Sequence, residues 1–224
     1  MANIKIDKII RSKRKTIALQ ITSDATLIVR APELVTMEVI HKVIAKEEQW
    51  IRKKQEYIRH HLRRPPAKEF VNGEGFLFMG HDFKLHIIDN QKSPLYFDNA
   101  FYLSRKYLPV AKEIFTNWYK AQAKEKIAER VHWYAAKAGL KFEQINITNA
   151  RKRWGSCSHN GNLSFSWRLI MVPLQAIDYV VVHELAHLEE RNHSNQFWNK
   201  VKVMLTNYEK YREWFKENER NLNI

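Results

Sequence analysis

The run VVVHELAHLEERNH, which ends at His193, constrains this chain more than any other part of its sequence. His183 and His187 are four residues apart, so on a helix both imidazoles lie on one face and can reach a single metal ion. The three valines before His183 predict that this helix is buried where it presents the rings. Because a buried imidazole without a partner is costly, a bound metal ion is one way to satisfy both side chains.

The same run offers a general base and a third ligand. Glu184 follows the first histidine, where its carboxylate can take a proton from a water molecule beside the metal. His193 lies ten residues after His183, which is the spacing of the HExxHxxGxxH pattern, but Glu190 occupies the position of the glycine. We therefore predict that the helix ends before His193 and that Asn192 makes the turn in the left-handed conformation.

Three neutral imidazoles with one open coordination position are typical of a catalytic zinc site, with one Zn²⁺ per chain. Bound zinc lowers the pKa of a water ligand to ~7, which produces a nucleophile for hydrolysis. A carboxylate near the C-terminus, from Glu209 or Glu213, is the competing third ligand. The sequence thus predicts a zinc-dependent hydrolase in which Glu184 is the catalytic base. Its predicted metal ligands are His183, His187 and His193.

Composition limits the remaining possibilities. The chain has 224 residues and a formal net charge of +14, and its isoelectric point near 9.8 predicts attraction to anionic ligands such as nucleotides or nucleic acid. Cys157 is the only cysteine, so the chain offers it no disulfide partner. The sequence shows neither a secretory signal nor a run of ~18 apolar residues, and we therefore expect a cytoplasmic protein without a membrane partner.

The N-terminal part reads as a β-rich segment with a basic helix. Strand-like stretches between Ile4 and Arg30 are separated by a Ser-Asp pair, which favours a β-hairpin. Thr36 can cap a helix that runs to about His60, and the pair Pro65 and Pro66 prevents its continuation. Short strands between Phe70 and Ser104 predict a small antiparallel sheet that continues the hairpin. Up to Pro66 the chain has fifteen Lys and Arg against seven Asp and Glu, so more than half of the net charge lies there.

The remaining pattern is a long helix, two strands and the helix with the histidines. The long helix is predicted over Pro109–Ala138, with Gly139 as its C-terminal cap. The second strand is predicted over Asn162–Ile170, and the histidine helix from about Leu174 to Glu190. The apolar face of the long helix is expected to comprise Ile114, Trp118, Ala121, Ile127, Val131, Tyr134 and Ala138.

A basic loop precedes the second strand. Arg151 and Arg153 flank a lysine in front of a tryptophan, and their charges can stabilise an oxyanion or hold phosphates. Asn149, just before them, and Arg168, in the second strand, are further candidates for contact with the substrate. The second strand itself, if it lies at the edge of its sheet, can pair with an extended peptide. The alternative is a purely structural loop held by packing of the tryptophan.

Three segments carry a resemblance to a known family. ARKRWGSCS, NLSFSWRLIMVP and DYVVVHELAHLEERNHSNQFW together resemble the YgjP-like metallopeptidase domain, a branch of the zincin group related to the SprT and WLM proteases. The N-terminal hairpin and the segment that ends in EEQWI also look like that family, so the resemblance covers most of the chain. It implies a zincin catalytic fold with a backing helix, a small sheet and a zinc-binding helix, and it supports His193 as the third ligand.

We therefore expect an α+β metallopeptidase that acts on a peptide or protein, with a segment over residues 1–105 packed on a catalytic core over residues 106–224. Two alternatives remain open. A metal-dependent nucleoside triphosphate pyrophosphohydrolase, acting for example on UTP, is favoured by the basic loop and the net charge. A DNA-associated protease is suggested by the resemblance to the SprT and WLM groups, with the basic N-terminal segment contacting phosphates.

Overall fold

A computed structural model describes residues 4–22, 24–61, 67–89, 91–218 and 222 of the chain. The chain divides into two compact units, Met1–Pro65 and Pro66–Ile224. The predicted helix-ending pair, Pro65 and Pro66, lies outside the described residues, as does the serine of the predicted hairpin turn. The division differs from the boundary expected after residue 105, because the sheet formed by residues 75–104 belongs to the second unit.

The described residues of the first unit form one sheet and two helices. Its central strand β3 pairs in parallel with β1 and antiparallel with β2, so the predicted hairpin is the β2–β3 pair. Alternate residues of β3 are buried, which is the pattern of a strand with one face on a core. The helical stretch is interrupted at Glu47, so two helices replace the single one predicted. The elements are β1 Lys8–Ser12, β2 Ala18–Ile21, β3 Leu27–Pro32, α1 Met37–Lys46 and α2 Glu48–His61.

The second unit begins with a four-stranded sheet that does not continue the N-terminal hairpin. Its strand order is β4-β5-β7-β6, and β5 and β7 are parallel, so the sheet is mixed rather than antiparallel. The rings of Phe76 and Phe115 stack with centroids 4.4 Å apart, and this aromatic packing ties the sheet to the long helix. The strands are β4 Gly75–Phe78, β5 His81–Ile88, β6 Leu95–Phe97 and β7 Phe101–Ser104.

The long helix α3, Ala111–Ala138, follows a 3-10 helix at Arg105–Val110 and ends as predicted at Gly139, whose φ is 67°. Its buried face agrees with the prediction at Ile127, Val131 and Tyr134, whereas Ala121 and Ala138, also predicted to face the core, are exposed. In the N-terminal half, Phe115 and Tyr119 face the core, one residue further on than predicted. The buried residues of α3 are Ala111, Phe115, Tyr119, Ala123, Ile127, Val131, Tyr134 and Ala135.

A second sheet leads to the site. Its order is β8-β10-β9, with β10 parallel to β8 and antiparallel to β9. The strand predicted over Asn162–Ile170 is thus shorter and central, not an edge strand, because residues Trp167–Met171 form a 3-10 helix and β9 pairs with its outer side. These strands are β8 Ile145–Thr148, β9 Gly155–Cys157 and β10 Leu163–Ser166.

The last three helices of the described chain are α4 Leu174–Ala186, α5 Asn195–Met204 and α6 Tyr208–Asn218. Almost every residue of α4 is buried, as the apolar run before His183 predicts. Arg130 on α3 donates two hydrogen bonds to the Asp178 carboxylate on α4, at 2.5 and 3.0 Å, and so joins the two helices through an ion pair. Within the described residues, no helix has the length and apolarity needed to cross a membrane.

Candidate metal centre

Three imidazoles converge at the end of α4. His183, His187 and His193 each present a ring nitrogen, and these three atoms lie within 4.8 Å of one another. The Nε2 atoms of His183 and His193 are 3.1 Å apart. His183 and His187 share a helical face, as their spacing predicts. The geometry of the three nitrogens fits a single small cation, and imidazole nitrogen is a favoured ligand of zinc.

The turn that returns His193 to the other two rings differs from the one predicted. The helix α4 ends at Ala186 rather than Glu190, and the carbonyl oxygen of Ala186 accepts from the amide of Glu190 at 3.0 Å. Among the described residues other than glycine, positive φ values occur at Ala25, Phe70, Met79 and Asn99, so Asn192 is not left-handed. The chain therefore returns toward α4 through consecutive turns in which no described residue has a positive φ. Ser194 caps α5, accepting from the amide of Phe197 at 3.2 Å.

The hydrogen bonds and burial of the rings suit metal binding. Nδ1 of His187 donates to the carbonyl oxygen of Glu190 over 2.9 Å, which leaves the lone pair of Nε2 free. Burial, together with the neighbouring His187 and His193, lowers the pKa of His183 to about 3. His183 is therefore neutral at physiological pH, and a neutral imidazole is the form that binds a metal.

Two aromatic residues that the sequence reasoning missed support the rings. Phe197 is fully buried, and its ring centroid lies 4.5 to 4.9 Å from those of all three histidines. Trp198 stacks on His193 with centroids 5.7 Å apart. Both follow His193 by about one helical turn. This spacing was the signal in the sequence that could have indicated their contact with the histidine. These contacts limit rotation of the imidazoles.

Glu184 lies on α4, next to His183, and its side chain is buried. Burial raises the pKa of its carboxyl group to about 8, and the charge of Arg153 acts in the opposite direction. Its side chain packs directly against Gly155 of β9. A Cβ atom added at Gly155 would lie 2.5 Å from Oε1 of Glu184, so only glycine leaves room for this carboxylate. The importance of Gly155 could not be read from the sequence, because the contact joins two distant elements.

The four predicted substrate-contact residues divide into two groups. Asn149 Oδ1 accepts from Nε1 of Trp167 at 2.9 Å and from the Arg168 guanidinium at 3.0 Å, so both residues hold the loop after β8. Arg151 and Arg153 are exposed. The charge of Arg153 acts on Glu184, whereas that of Arg151 acts on the buried Arg168. Of the four, Arg153 is thus the residue with a direct electrostatic link to the candidate base.

The competing carboxylate ligands do not join the imidazoles. Among the described side chains, the cluster suited to a metal ion consists of the three histidines. Glu213 instead accepts from Nζ of Lys216 at 2.6 Å, one turn along the same helix. Glu209 lies on the exposed side of the first turn of α6.

A cavity of about 260 Å³ adjoins the cluster. His183 and Glu184 form part of its wall, together with Gly155. The remaining wall is largely aromatic and aliphatic, with one cationic side chain. These residues are Trp154, Tyr179, Val180, Phe215 and Arg212.

A mixed α and β fold that buries an HExxH helix and gathers three imidazoles beside a carboxylate defines a candidate metallohydrolase. The family model described as YgjP-like, metallopeptidase domain, matches residues 15–218, and the chain belongs to this family. The solved structure of the metallopeptidase zymogen abylysin from Pyrococcus abyssi is similar over 43% of this chain and 99% of abylysin, with 17% identity and a TM-score of 0.38. A comparison with curated proteins found no match. The family assignment rests on the match over residues 15–218.

Proposed function

We propose that this protein is a zinc-dependent peptidase in which Glu184 is the general base and His183, His187 and His193 hold the ion. The observation that carries this proposal is the approach of three imidazole nitrogens to within 4.8 Å of one another, together with the buried carboxylate of Glu184, which follows His183 on α4. Membership of a metallopeptidase family supports peptide hydrolysis as the reaction.

The donor set favours zinc. Three imidazoles leave one coordination position open, as in catalytic zinc sites, whereas magnesium prefers oxygen ligands. The hydrogen bond from Nδ1 of His187 to the Glu190 carbonyl oxygen fixes one tautomer of the ring. Histidines that bind zinc commonly donate their other ring N–H in this way. When bound, the ion supplies Lewis acidity that polarises the scissile carbonyl group and lowers the pKa of water.

The chain itself supplies the proton transfer and the substrate position. Glu184 accepts the proton of the attacking water and later delivers it to the leaving amine, a role suited to a buried carboxylate that lines the cavity beside His183. Arg153 stabilises the charged carboxylate of Glu184 after each delivery. The strand β9 lies at the edge of its sheet, and its free side can pair with an extended peptide.

The test is the variant Glu184→Gln, with Glu189→Gln as a matched control. Glu189 is an exposed carboxylate five residues further on, paired with Lys200 at 2.7 Å. Metal content by elemental analysis and hydrolysis of a casein-like substrate should be measured for wild type and both variants. We expect one zinc per chain in all three, and a loss of turnover of about 10²-fold or more in Glu184→Gln alone. Full activity in Glu184→Gln would refute the assignment of the base.

One observation favours the pyrophosphohydrolase alternative. Arg168 is buried, its Nε has no hydrogen-bond partner, and no carboxylate pairs with it in the described part of the chain. A buried cation without a counter-charge attracts anions such as phosphates. A panel of nucleoside triphosphates that includes UTP should therefore be assayed beside the casein-like substrate. Release of diphosphate without peptide cleavage would replace the peptidase proposal with this alternative.

A further inference from the structure

The cavity beside Glu184 has the composition of a side-chain pocket. Three aromatic rings, of Trp154, Tyr179 and Phe215, surround much of it. The rings of Trp154 and Phe215 are packed against each other with centroids 5.1 Å apart, so this wall is already assembled. Because His183 and Glu184 are part of the same lining, any group that enters the cavity lies next to the candidate catalytic centre.

The size of the cavity indicates what it accepts. A volume of about 260 Å³ is below the lower limit of ~300 Å³ for pockets that hold drug-sized ligands. A water molecule occupies ~30 Å³ in the liquid, so the cavity is larger than the volume of a few ordered water molecules. A space of this size can hold one large side chain. The apolar lining favours an aromatic or large aliphatic group.

Arg212 gives this pocket a single positive charge. Its guanidinium lies 4.5 Å from the ring centroid of Trp198, and Trp198 is itself stacked on His193. The cation–π contact holds the charged group in place without neutralising it. No described carboxylate forms an ion pair with Arg212, and its side chain is itself part of the pocket wall, beside Tyr179 and His183. A fixed, unpaired guanidinium in such a position binds carboxylates.

We propose that this cavity is the specificity pocket of the enzyme: it takes an aromatic or large aliphatic side chain of the substrate, and Arg212 binds a carboxylate that follows that side chain. This inference rests on the proposed peptidase function. The carboxylate has two possible sources with the same chemistry, the C-terminal carboxyl group of a peptide or an acidic side chain next to the apolar residue. In the first case the protein removes a C-terminal residue, and in the second it cleaves within a chain.

Four N-acetylated peptides test the preference. They are Ala-Ala-Ala-Phe as the free acid, the same peptide as the amide, Ala-Ala-Ala-Ala as the free acid, and Ala-Ala-Ala-Phe-Glu-Ala as the amide. We expect kcat/KM to be about tenfold to hundredfold higher for the peptides with both phenylalanine and a carboxylate than for the other two. A higher rate for the free acid than for the internal glutamate identifies a C-terminal carboxyl group as the source. Equal rates for all four peptides would overturn the proposal while leaving the peptidase function intact.

Arg212→Gln and Arg212→Lys test the role of the guanidinium. Arg212 is exposed, so both variants should retain the fold. We expect Arg212→Gln to raise KM for the preferred peptide about tenfold to hundredfold with little change in kcat, and Arg212→Lys to restore part of the loss. The rate for the matching amide should fall by a much smaller factor, because the amide offers no carboxylate to the guanidinium. Equal losses for the acid and the amide in Arg212→Gln would show a structural effect and contradict the proposal.

A binding measurement separates this inference from the proposed function. Fluorescently labelled Ala-Ala-Ala-Phe, as free acid and as amide, should be titrated into the Glu184→Gln variant and followed by fluorescence anisotropy. We expect tighter binding of the acid, and loss of that difference when Arg212→Gln is added. This result would support the pocket even if no peptide were cleaved by the wild type. Equal binding of acid and amide, or displacement of the acid by UTP without peptide cleavage by the wild type, would overturn it.

Discussion

Gly155 and Glu184 show how one small residue determines the position of a candidate catalytic group. The Cβ of an alanine at position 155 would lie 2.5 Å from Oε1 and 2.6 Å from Cγ of Glu184. Because real Cβ contacts are longer, the Glu184 side chain or strand β9 must move in Gly155→Ala. A misplacement of about 1 Å in a catalytic group can lower the rate about 10²-fold.

We therefore expect Gly155→Ala to lose about 10²-fold in kcat while it retains its metal, because the three atoms nearest to the added Cβ all belong to Glu184 and none to a histidine. The measurement is peptide hydrolysis together with elemental analysis. Ser156→Ala is the control, since neighbouring side chains of a strand point to opposite faces. Comparable losses in the two variants would mean that β9 tolerates no change and that the contact with Glu184 is not the cause.

At the level of residues, local patterns were informative and tertiary contacts were not. The four-residue spacing of His183 and His187 placed both rings on one face, because helical periodicity is a local property. The left-handed turn at Asn192 was wrong, because α4 ends earlier than its sequence suggests and its last carbonyl groups bond within the turn. The role of Gly155 was invisible, because it depends on where β9 crosses α4.

The ion pair between α3 and α4 fixes the site helix to the helix behind it. The Asp178 side chain is only 8% exposed and receives two hydrogen bonds from Arg130. Asp178→Asn leaves the guanidinium without its counter-charge in a poorly hydrated position, which is costly. We expect a decrease of about 2–4 kcal/mol in the free energy of unfolding, measured by urea denaturation.

Asp89→Asn is the matched control for that measurement. Asp89 pairs with Arg105, but both side chains are more than half exposed. Exposed pairs contribute less than about 1 kcal/mol, so this variant should unfold close to the wild-type midpoint. Similar midpoints for Asp178→Asn and Asp89→Asn would show that burial of the first pair adds no stability.

At the level of elements, long helices were easier to predict than short strands. The helix α3 was found with its C-terminal cap at Gly139, because its apolar pattern is long and glycine ends it. Near the N-terminus of α3, the residues predicted to be buried lie one position before the buried ones. Phe115 and Tyr119 are buried instead, because they pack on a sheet whose position the sequence does not show. The three-residue strand β9 has no recognisable pattern, and its omission made β10 look like an edge.

For the whole molecule, we expect metal binding to raise the midpoint of thermal unfolding, Tm. A ligand that binds only the folded state at one hundred times its Kd contributes about 2.7 kcal/mol. For a chain of this size that corresponds to an increase of about 5–10 °C in Tm. Six of the seven tryptophans belong to the second unit, so intrinsic fluorescence reports mainly on the part of the chain that contains the histidines.

We therefore expect a chelator to lower the Tm of the wild type by about 5–10 °C, and added zinc to restore it. His193→Gln is the control, because His193 is exposed and its substitution removes a proposed ligand without opening the core. This variant should melt near the chelated wild type with or without zinc. An unchanged Tm after chelation of the wild type would argue against a resident metal ion.

The early end of α4 also affects the charge at the site. The aligned peptide dipoles of a helix place about half of a negative elementary charge at its C-terminus. Because α4 stops at Ala186, that end lies next to His187 in the chain rather than three residues beyond it. The backbone therefore adds an attraction for a cation that no side-chain substitution removes. By the same reasoning, extension of the helix toward Glu190 would move this attraction away from the histidines and weaken the site.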